Sequence, residues 1–466
     1  MFMVWFLSGI VLIFVGFPHS SRQQRFEYLK PFTAEDMAIV KAPSATFKGR
    51  IELEKWGDRP VYRVYSGRKN QKVYDANTLK QLPVLTEQQA IDVVTDYTKT
   101  TVSKCTKLEK LDCWMPWSYY RPLLPFYKCE LDDGLGSVVY VSSKSGLVVQ
   151  RTTRKSRLLA FVGAIPHWIY IKQLRLQVQL WRDTVSVISL IGLLVCISGI
   201  VIGFIRLKRN KKGRINGLTP YKKNWYKWHH QLGFIFGSLV FTFMLSGLVS
   251  VTGISTCLVE KAPRLKKVWN QKVQTHHWDV KPLDVWQACH NSSGIRKMVW
   301  STSMGESSWE VYRDSYQVAE IYKMKDGKVI QQSEVSENKL LSYGKRLLNN
   351  KAIKIAQVKE YSKYYQPSGM AYRPIPVYRL DVSGSHNHQI YVDPLTGKLL
   401  TEVDNNTRWS WWLYKAPHKF NFPWLVEHQV VRKTLLTIAS VIGVFISFTG
   451  LMISLGKIKK RNNKVK

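Results

Sequence analysis

Eleven histidines are spread along the 466 residues, and four stand where an imidazole could do chemistry. His167 and His418 each follow a proline, Pro166 and Pro417, in aromatic-rich stretches. His229 and His230 stand where a long apolar run begins. Ionisable groups at a membrane span are costly and tend to be functional. Neutral imidazole is the natural axial ligand of haem iron, and two imidazoles from facing helices make a bis-histidine site. Gly233 and Gly237 follow His229 at four and eight residues, on the same helical face, and leave room for a flat macrocycle. The same spacing serves close helix packing equally well. The residues alone leave two readings open: haem ligation at His167, His418, His229 and His230, or structural histidines at a membrane boundary.

The other histidines carry less. His19, His276, His277, His290, His386 and His388 form no pattern beyond two close pairs, His276–His277 and His386/His388, whose metal-binding spacing is weak. His428 has no histidine mate in the repeat described below. The six cysteines include no CxxC and no CxxCH, which argues against covalently attached haem. Cys105, Cys113 and Cys129 fall in one polar region, Cys257 and Cys289 in another, and Cys196 within an apolar run. An oxidising compartment permits a disulfide in each polar region, with the pairing open.

The elements that must position these imidazoles are apolar helices. A span needs about 20 mostly apolar residues. Runs at roughly 185–205, 231–254 and 434–456 qualify, and a shorter one covers Phe2 to Phe17. That first run lacks a basic leader and a small-residue cleavage site, so it reads as a short or truncated span and not as a signal peptide. The mean hydropathy of −0.18 means that most of the chain is polar. Lys and Arg total 69 against 32 acidic residues, a net charge of +37. Much of that charge borders the apolar runs, at Arg206 to Lys212, at Lys222, Lys223 and Lys227, and at Lys457 to Arg461. Short basic loops stay in the cytoplasm, which puts both large polar regions outside a bacterial inner membrane, in the periplasm. No helix-turn-helix or zinc-finger spacing supports nucleic-acid binding. Aromatic clusters such as Trp225-Tyr226-Lys227-Trp228 and Trp409-Ser410-Trp411-Trp412 suit the membrane–water boundary, where they contact lipid.

The chain also repeats itself. Val139-Tyr140-Val141-Ser142-Ser143-Lys144-Ser145-Gly146 resembles Ile390-Tyr391-Val392-Asp393-Pro394-Leu395-Thr396-Gly397 at an offset of 251 residues. The same offset carries Arg157 to Arg408, Pro166-His167 to Pro417-His418, Gly192 to Gly443 and Gly199 to Gly450, and it carries Gln177 to His428. Phe6-Leu7-Ser8-Gly9-Ile10 resembles Met244-Leu245-Ser246-Gly247-Leu248 at an offset of 238. Each half reads helix, outer domain, helix: a tandem parallel repeat with a pseudo-twofold axis along the membrane normal. The expected fold is a membrane α-helical protein with four transmembrane helices and two α+β extracytoplasmic domains. Its order is span 1 (1–17), outer domain (18–156), interfacial helix (157–184), span 2 (185–206), basic cytoplasmic loop (207–228), span 3 (229–254), outer domain (255–408), interfacial segment (409–433), span 4 (434–456) and basic tail (457–466). His167 precedes the second apolar core by roughly 18 residues, about 27 Å of straight helix, so Leu158 to Leu174 reads as a surface helix followed by a turn. Thr86 with Gln89 makes a capping-box start for a helix. Alternating segments near 136–142 and 388–393 read as strands that end in glycine turns.

These residues resemble the PepSY-associated transmembrane family over nearly the whole chain. The likeness rests on Phe6-Leu7-Ser8-Gly9, Val73-Tyr74-Asp75, Gly163-Ala164-Ile165-Pro166-His167-Trp168-Ile169-Tyr170, Trp228-His229-His230-Gln231-Leu232-Gly233, Tyr391-Val392-Asp393-Pro394-Leu395-Thr396-Gly397 and Pro417-His418. The resemblance implies PepSY-like outer domains and a tie to siderophore iron uptake. Some members are similar to di-haem reductases of ferric siderophores. It implies haem b, one or two, held by histidines at helix ends, positions that His167, His229 and His418 match. Family members also carry a histidine near the cytoplasmic end of the first span. Here Met1 stands seven residues before Ser8, so that counterpart would precede the first residue, and His229 lacks its inner-site partner.

Two functions compete. One is a membrane oxidoreductase that passes electrons through haem to a ferric siderophore or small chelate. No GxGxxG followed by a ribose-binding acid occurs, so its donor would be a quinol or another protein. The other is a non-catalytic membrane protein whose outer domains bind a peptide or partner and regulate a protease. No HExxH, GxSxG or paired catalytic carboxylates mark the chain itself as a hydrolase.

Overall fold

The structure, a computed structural model, describes residues 1–67, 71–254, 258–270, 280–349, 351–367, 373–384 and 386–465. Cys257 and the His276–His277 pair lie outside these residues. The chain divides into a helical unit (Met1–Phe17, Lys155–Glu260, Asn406–Lys466) and a sheet unit (Pro18–Arg154, Lys261–Asn405).

The helical unit is built on α1 (Phe2–Phe14), α2 (Ala164–Trp168), α3 (Val178–Ile205), α4 (Asn224–Thr252), α5 (Ala416–Lys419) and α6 (Gln429–Val465). Three of them, α3, α4 and α6, are long and apolar enough to cross a membrane. The 13 residues of α1 are apolar but for Ser8 and rise only about 20 Å, short of the hydrocarbon thickness. Small residues let these helices approach. A Cβ added at Gly192 of α3 would fall 2.6 Å from Met244 of α4, and one at Gly443 of α6 would fall 2.6 Å from the Phe6 ring of α1. The stretch expected as one surface helix is three short ones, Arg154–Val162, α2 and Lys172–Leu176. Gly163, at φ −108° and ψ −91°, interrupts the first junction, and Ile169 ends α2 in the left-handed region.

The sheet unit contains β1 (Arg50–Trp56), β2 (Arg59–Tyr65), β3 (Gln71–Asp75), β4 (Val102–Leu108), β5 (Phe126–Leu131), β6 (Val138–Ser142), β7 (Val148–Thr152), β8 (Lys297–Ser303), β9 (Glu306–Tyr312), β10 (Glu320–Lys325), β11 (Lys328–Gln331), β12 (Ile353–Val358), β13 (Val377–Val382), β14 (His388–Val392) and β15 (Leu399–Val403). The polar regions before and after the long helices share one seven-stranded sheet, ordered β11-β10-β9-β8-β1-β2-β3. Its centre is the antiparallel pair β1–β8, with Ile51 opposite Trp300 and Leu53 opposite Met298. Two four-stranded meanders, β4 to β7 and β12 to β15, complete the unit. Helix Glu87–Thr98 packs Ala90, Val94 and Tyr97 with Val139 and Val141 of the first meander. Its start carries the predicted capping box: Thr86 Oγ1 accepts from the Gln89 amide at 3.3 Å, and Gln89 Oε1 accepts from the Thr86 amide at 3.0 Å. Cys105 and Cys129 face each other across β4 and β5 and are disulfide-bonded. Cys289 is buried without a disulfide.

Alternation along β1 puts Ile51 and Leu53 into an apolar core and Glu52 and Glu54 on the other face, where both are buried. Burying carboxylates is costly unless cations meet them. Lys297, opposite Glu54 in the register, reaches Glu52 at 2.5 Å and Glu54 at 2.8 Å. Arg50 meets Glu52 at 2.8 Å, and Arg63 meets Glu54. Arg63 also donates to the Ser145 carbonyl in the β6–β7 turn, and Lys398 in the β14–β15 turn meets Glu310 of β9. The charged face therefore ties both meanders to the central sheet. Burial alone would raise the Glu52 carboxyl, but Arg50 and then Lys297 outweigh it and hold it at about 2. Lowered in the folded state, this group contributes stability that is fully present above the ordinary glutamate range and is lost as pH falls from about 4.3 towards 2. Melts of the purified protein followed by near-ultraviolet circular dichroism should weaken across that window. Lys297→Met leaves two buried carboxylates short of a cation and should cost about 3–5 kcal/mol.

Candidate functional site

Two short helices carry the first histidine pair. His167 lies on α2 and His418 on α5, each beside its proline. Both helices end in a non-glycine residue in the left-handed region, Ile169 at φ 51° and Phe420 at φ 49°. A β-branched residue there is strained, and such strain persists where surrounding structure imposes it. The two turns bring the imidazoles together with ring centroids 6.3 Å apart and planes at 64°.

Each ring is fixed through one nitrogen. His167 Nδ1 lies 3.0 Å from the Trp5 carbonyl and 3.3 Å from Ser8 Oγ on α1. His418 Nδ1 lies 3.0 Å from Ser246 Oγ on α4, whose own proton goes to the Thr242 carbonyl at 2.6 Å. A carbonyl can only accept, and a serine oxygen whose proton is already engaged accepts as well, so in both rings Nδ1 carries the proton and Nε2 the free lone pair. Glycines let the rings lie against the helices: a Cβ at Gly9 would sit 3.4 Å from His167 Cε1, and one at Gly247 would sit 3.6 Å from His418 Cε1. Aromatic rings surround the pair. Phe243 is 5.8 Å from His418 and 5.9 Å from Phe6, and Tyr414 is 5.5 Å from His418.

His229 and His230, adjacent in sequence, face different helices. His229 Nδ1 lies 3.2 Å from the Ile446 carbonyl and 3.0 Å from Thr449 Oγ1 on α6, and a Cβ at Gly450 would fall 3.1 Å from its ring. It repeats the carbonyl, hydroxyl and glycine arrangement of the first pair. His230 is turned towards α3, with Nε2 3.1 Å from the Gly203 carbonyl and Tyr221 5.5 Å away. The 17 residues from His229 to Ser246 span about 26 Å of α4, so His229 and the His167/His418 pair are separate places. Gly237 packs against Ile200, whereas Gly233 faces open space. His428 is exposed and bonds the Trp424 carbonyl. His388 pairs with Glu402 at 3.3 Å, a local contact in the sheet unit. Among the described residues no group of three or more His, Cys, Asp or Glu converges on a point. Sequence reasoning found the histidines but missed Ser8, Ser246 and Thr449. The signal was present in Leu7-Ser8-Gly9 and Leu245-Ser246-Gly247, where the serine stands beside the glycine that admits the ring.

Long apolar helices, a strand-rich unit and paired imidazoles held by neighbouring helices define a membrane protein with a large polar sheet unit. The family model of the PepSY-associated TM region matches residues 1–277, and the chain belongs to that family. No curated protein matches it.

The glycine contacts lead to opposite expectations for two alanine substitutions. Gly247→Ala meets only ordinary van der Waals contact and should leave thermal stability in detergent unchanged or slightly raised, since alanine favours helix. Gly443→Ala drives a methyl into the Phe6 ring and should cost about 1–3 kcal/mol, read as a lower melting temperature by scanning fluorimetry.

Proposed function

We propose that the chain is a b-type haem protein of a bacterial inner membrane that moves electrons to an acceptor on the periplasmic side, a ferric siderophore or similar chelate. The observation that carries this reading is the His167/His418 pair. Metal–imidazole bonds of about 2 Å put the ring centroids of an axial pair roughly 6 Å apart, close to the separation seen. Ligand histidines almost always donate their other ring N–H to a nearby acceptor, as His167 does here to the Trp5 carbonyl and His418 to Ser246 Oγ. The donor set therefore fits a haem held through Nε2 of His167 and His418. When bound, the haem supplies one-electron redox chemistry; the chain's residues orient the ligands and keep water from them. His229, with Nδ1 engaged in the same way, is the ligand for a second, inner haem. His230 is directed elsewhere, so its companion ligand is not among the described histidines. The electron donor is a quinol or another protein.

In this reading α1 serves as a fourth, short span, and the two halves form a tandem repeat of helix, PepSY-like domain and helix, bounded as the sequence suggests. Equivalent contacts support the repeat. Gly192 meets Met244 as Gly443 meets Phe6, and Trp181 donates to the Trp168 carbonyl as Arg432 donates to that of Lys419. The orientation follows from charge: no Asp or Glu occurs from Arg206 to Val259 or from His428 to Lys466, while Lys and Arg cluster at the helix ends there.

A second reading, a PepSY protein that binds a peptide or partner and regulates a protease, is favoured by one observation. The sheet unit holds an open cleft of about 560 Å³, lined by Trp56, Tyr28, Tyr97, Leu85, Arg59 and Asp92 among others. Aromatic, apolar and oppositely charged groups together suit a peptide.

Bound haem separates the readings. Purified from haem-replete cells, the protein should show a sharp b-type α-band on dithionite reduction. His167→Ala or His418→Ala should each abolish the band of the outer site. A colourless preparation would leave the binding role as the better account.

A further inference from the structure

We propose that Ser8 and Ser246 are positioning residues that fix the ring planes of His167 and His418, an inference that rests on the haem reading. Each serine is 1% exposed, so its hydroxyl needs partners within the protein. Ser8 Oγ donates to the Val4 carbonyl, and Ser246 Oγ to the Thr242 carbonyl, both at 2.6 Å. With the hydroxyl proton directed one turn back along the helix, a lone pair of each oxygen faces the imidazole Nδ1–H, at 3.3 Å for His167 and 3.0 Å for His418. For His167 the Trp5 carbonyl, three residues before Ser8, lies 3.0 Å from the same nitrogen.

At His167 the two acceptors do different things. The carbonyl decides which nitrogen carries the proton, because a carbonyl oxygen cannot donate. A single such bond still lets the ring swing about its direction. A second acceptor on the same helix edge, one turn along, removes that freedom and sets the plane. Glycine at the next position, Gly9 or Gly247, lets the ring sit close enough to reach the hydroxyl. A serine within a helix commonly bonds the carbonyl four residues back with no further role. Here the arrangement occurs twice, at the two helix positions that face the paired rings, and His229 meets an equivalent hydroxyl in Thr449, itself bonded to the Ile446 carbonyl at 2.8 Å.

Ring planes matter to an axial pair. The angle between two axial imidazoles governs the splitting of the iron orbitals, and with it the g anisotropy of the oxidised form. Hydrogen bonding at Nδ1 raises the donor strength of Nε2 and favours the ferric state. The serines therefore tune a haem without touching it.

The test uses the full chain in detergent, loaded with haem b, as wild type and as S8A, S246A, S8T and S246T. Outer-shell partners of metal-bound histidines typically account for about 10–100-fold in affinity. The expected result is an altered g spread, a raised midpoint potential and a haem affinity reduced about tenfold or more in each alanine variant, with the threonine variants returning towards wild type. Wild-type g values, potential and affinity in both S8A and S246A would overturn the proposal. A wild-type protein that takes up no haem would defeat the functional reading separately. In that case the Nδ1–H signals of His167 and His418 in the haem-free protein decide: faster solvent exchange in S8A and S246A supports the serine role, and unchanged exchange overturns it.

Discussion

A neutral imidazole has one N–H, and inside an apolar helical bundle that N–H must find an acceptor. Here the acceptors lie on the edge of a neighbouring helix, a carbonyl or a serine hydroxyl, and much of the helical unit follows from that requirement. Trp5 can serve His167 only if α1 lies against α2, and Ser246 can serve His418 only if α4 lies against α5. A leucine at Gly9 or Gly247 would hold the ring off the helix and break the bond, so the Ser-Gly dipeptide supplies acceptor and clearance together. Pro166 and Pro417 then sit in helices too short to extend past the site, and the left-handed Ile169 and Phe420 turn the chain away immediately after each imidazole.

The sheet unit answers a different constraint with similar economy. Two chain segments more than 200 residues apart in sequence meet at β1 and β8. An apolar face alone would join them with little preference for register, because one pleated surface packs much like the next. The charged face supplies the register: Lys297 serves Glu52 and Glu54 at once only when Glu54 stands opposite it. A slip of one residue would turn both carboxylates into the apolar core, where no cation waits, and turn Ile51 and Leu53 out of it. Specificity of pairing, more than raw stability, is the natural role of such a network.

What was legible in the sequence was local or periodic. Apolar runs gave the long helices, Thr86 with Gln89 gave a helix start, and the turns at Gly146 and Gly397, at φ 64° and 63°, stand where alternating strands end in glycine. The offset of 251 residues singled out His167 and His418 as a pair before any coordinates existed. What was not legible depends on distant partners. Nothing near residue 50 or residue 300 announces that β1 and β8 will pair. Leu158 to Leu174 reads as one amphipathic surface helix although Gly163 and Pro166 stand inside it, because helical periodicity does not register a single residue with unusual backbone angles. Ser8 and Ser246 were visible as part of a repeated motif, but their role needs the imidazole that arrives from another part of the chain.

An axial pair requires two donors on opposite sides of one plane, each aimed at the same point. A chain with unrelated halves would have to solve that aiming problem twice. The repeat we propose solves it once, because a twofold axis turns any inward-facing ligand on one half into an opposed ligand on the other. The distances agree with this account: imidazole to serine is 3.3 Å in one half and 3.0 Å in the other, and glycine to ring is 3.4 Å and 3.6 Å. The same logic explains why the inner position is the uneven one. His229 meets Ile446, Thr449 and Gly450 on α6, whereas the positions that the offset assigns to them on α3, Val195, Ser198 and Gly199, meet no imidazole among the described residues. The symmetry of the repeat we propose would complete a haem site at His167 and His418 with residues of this chain, while at His229 the described residues supply one half of the arrangement.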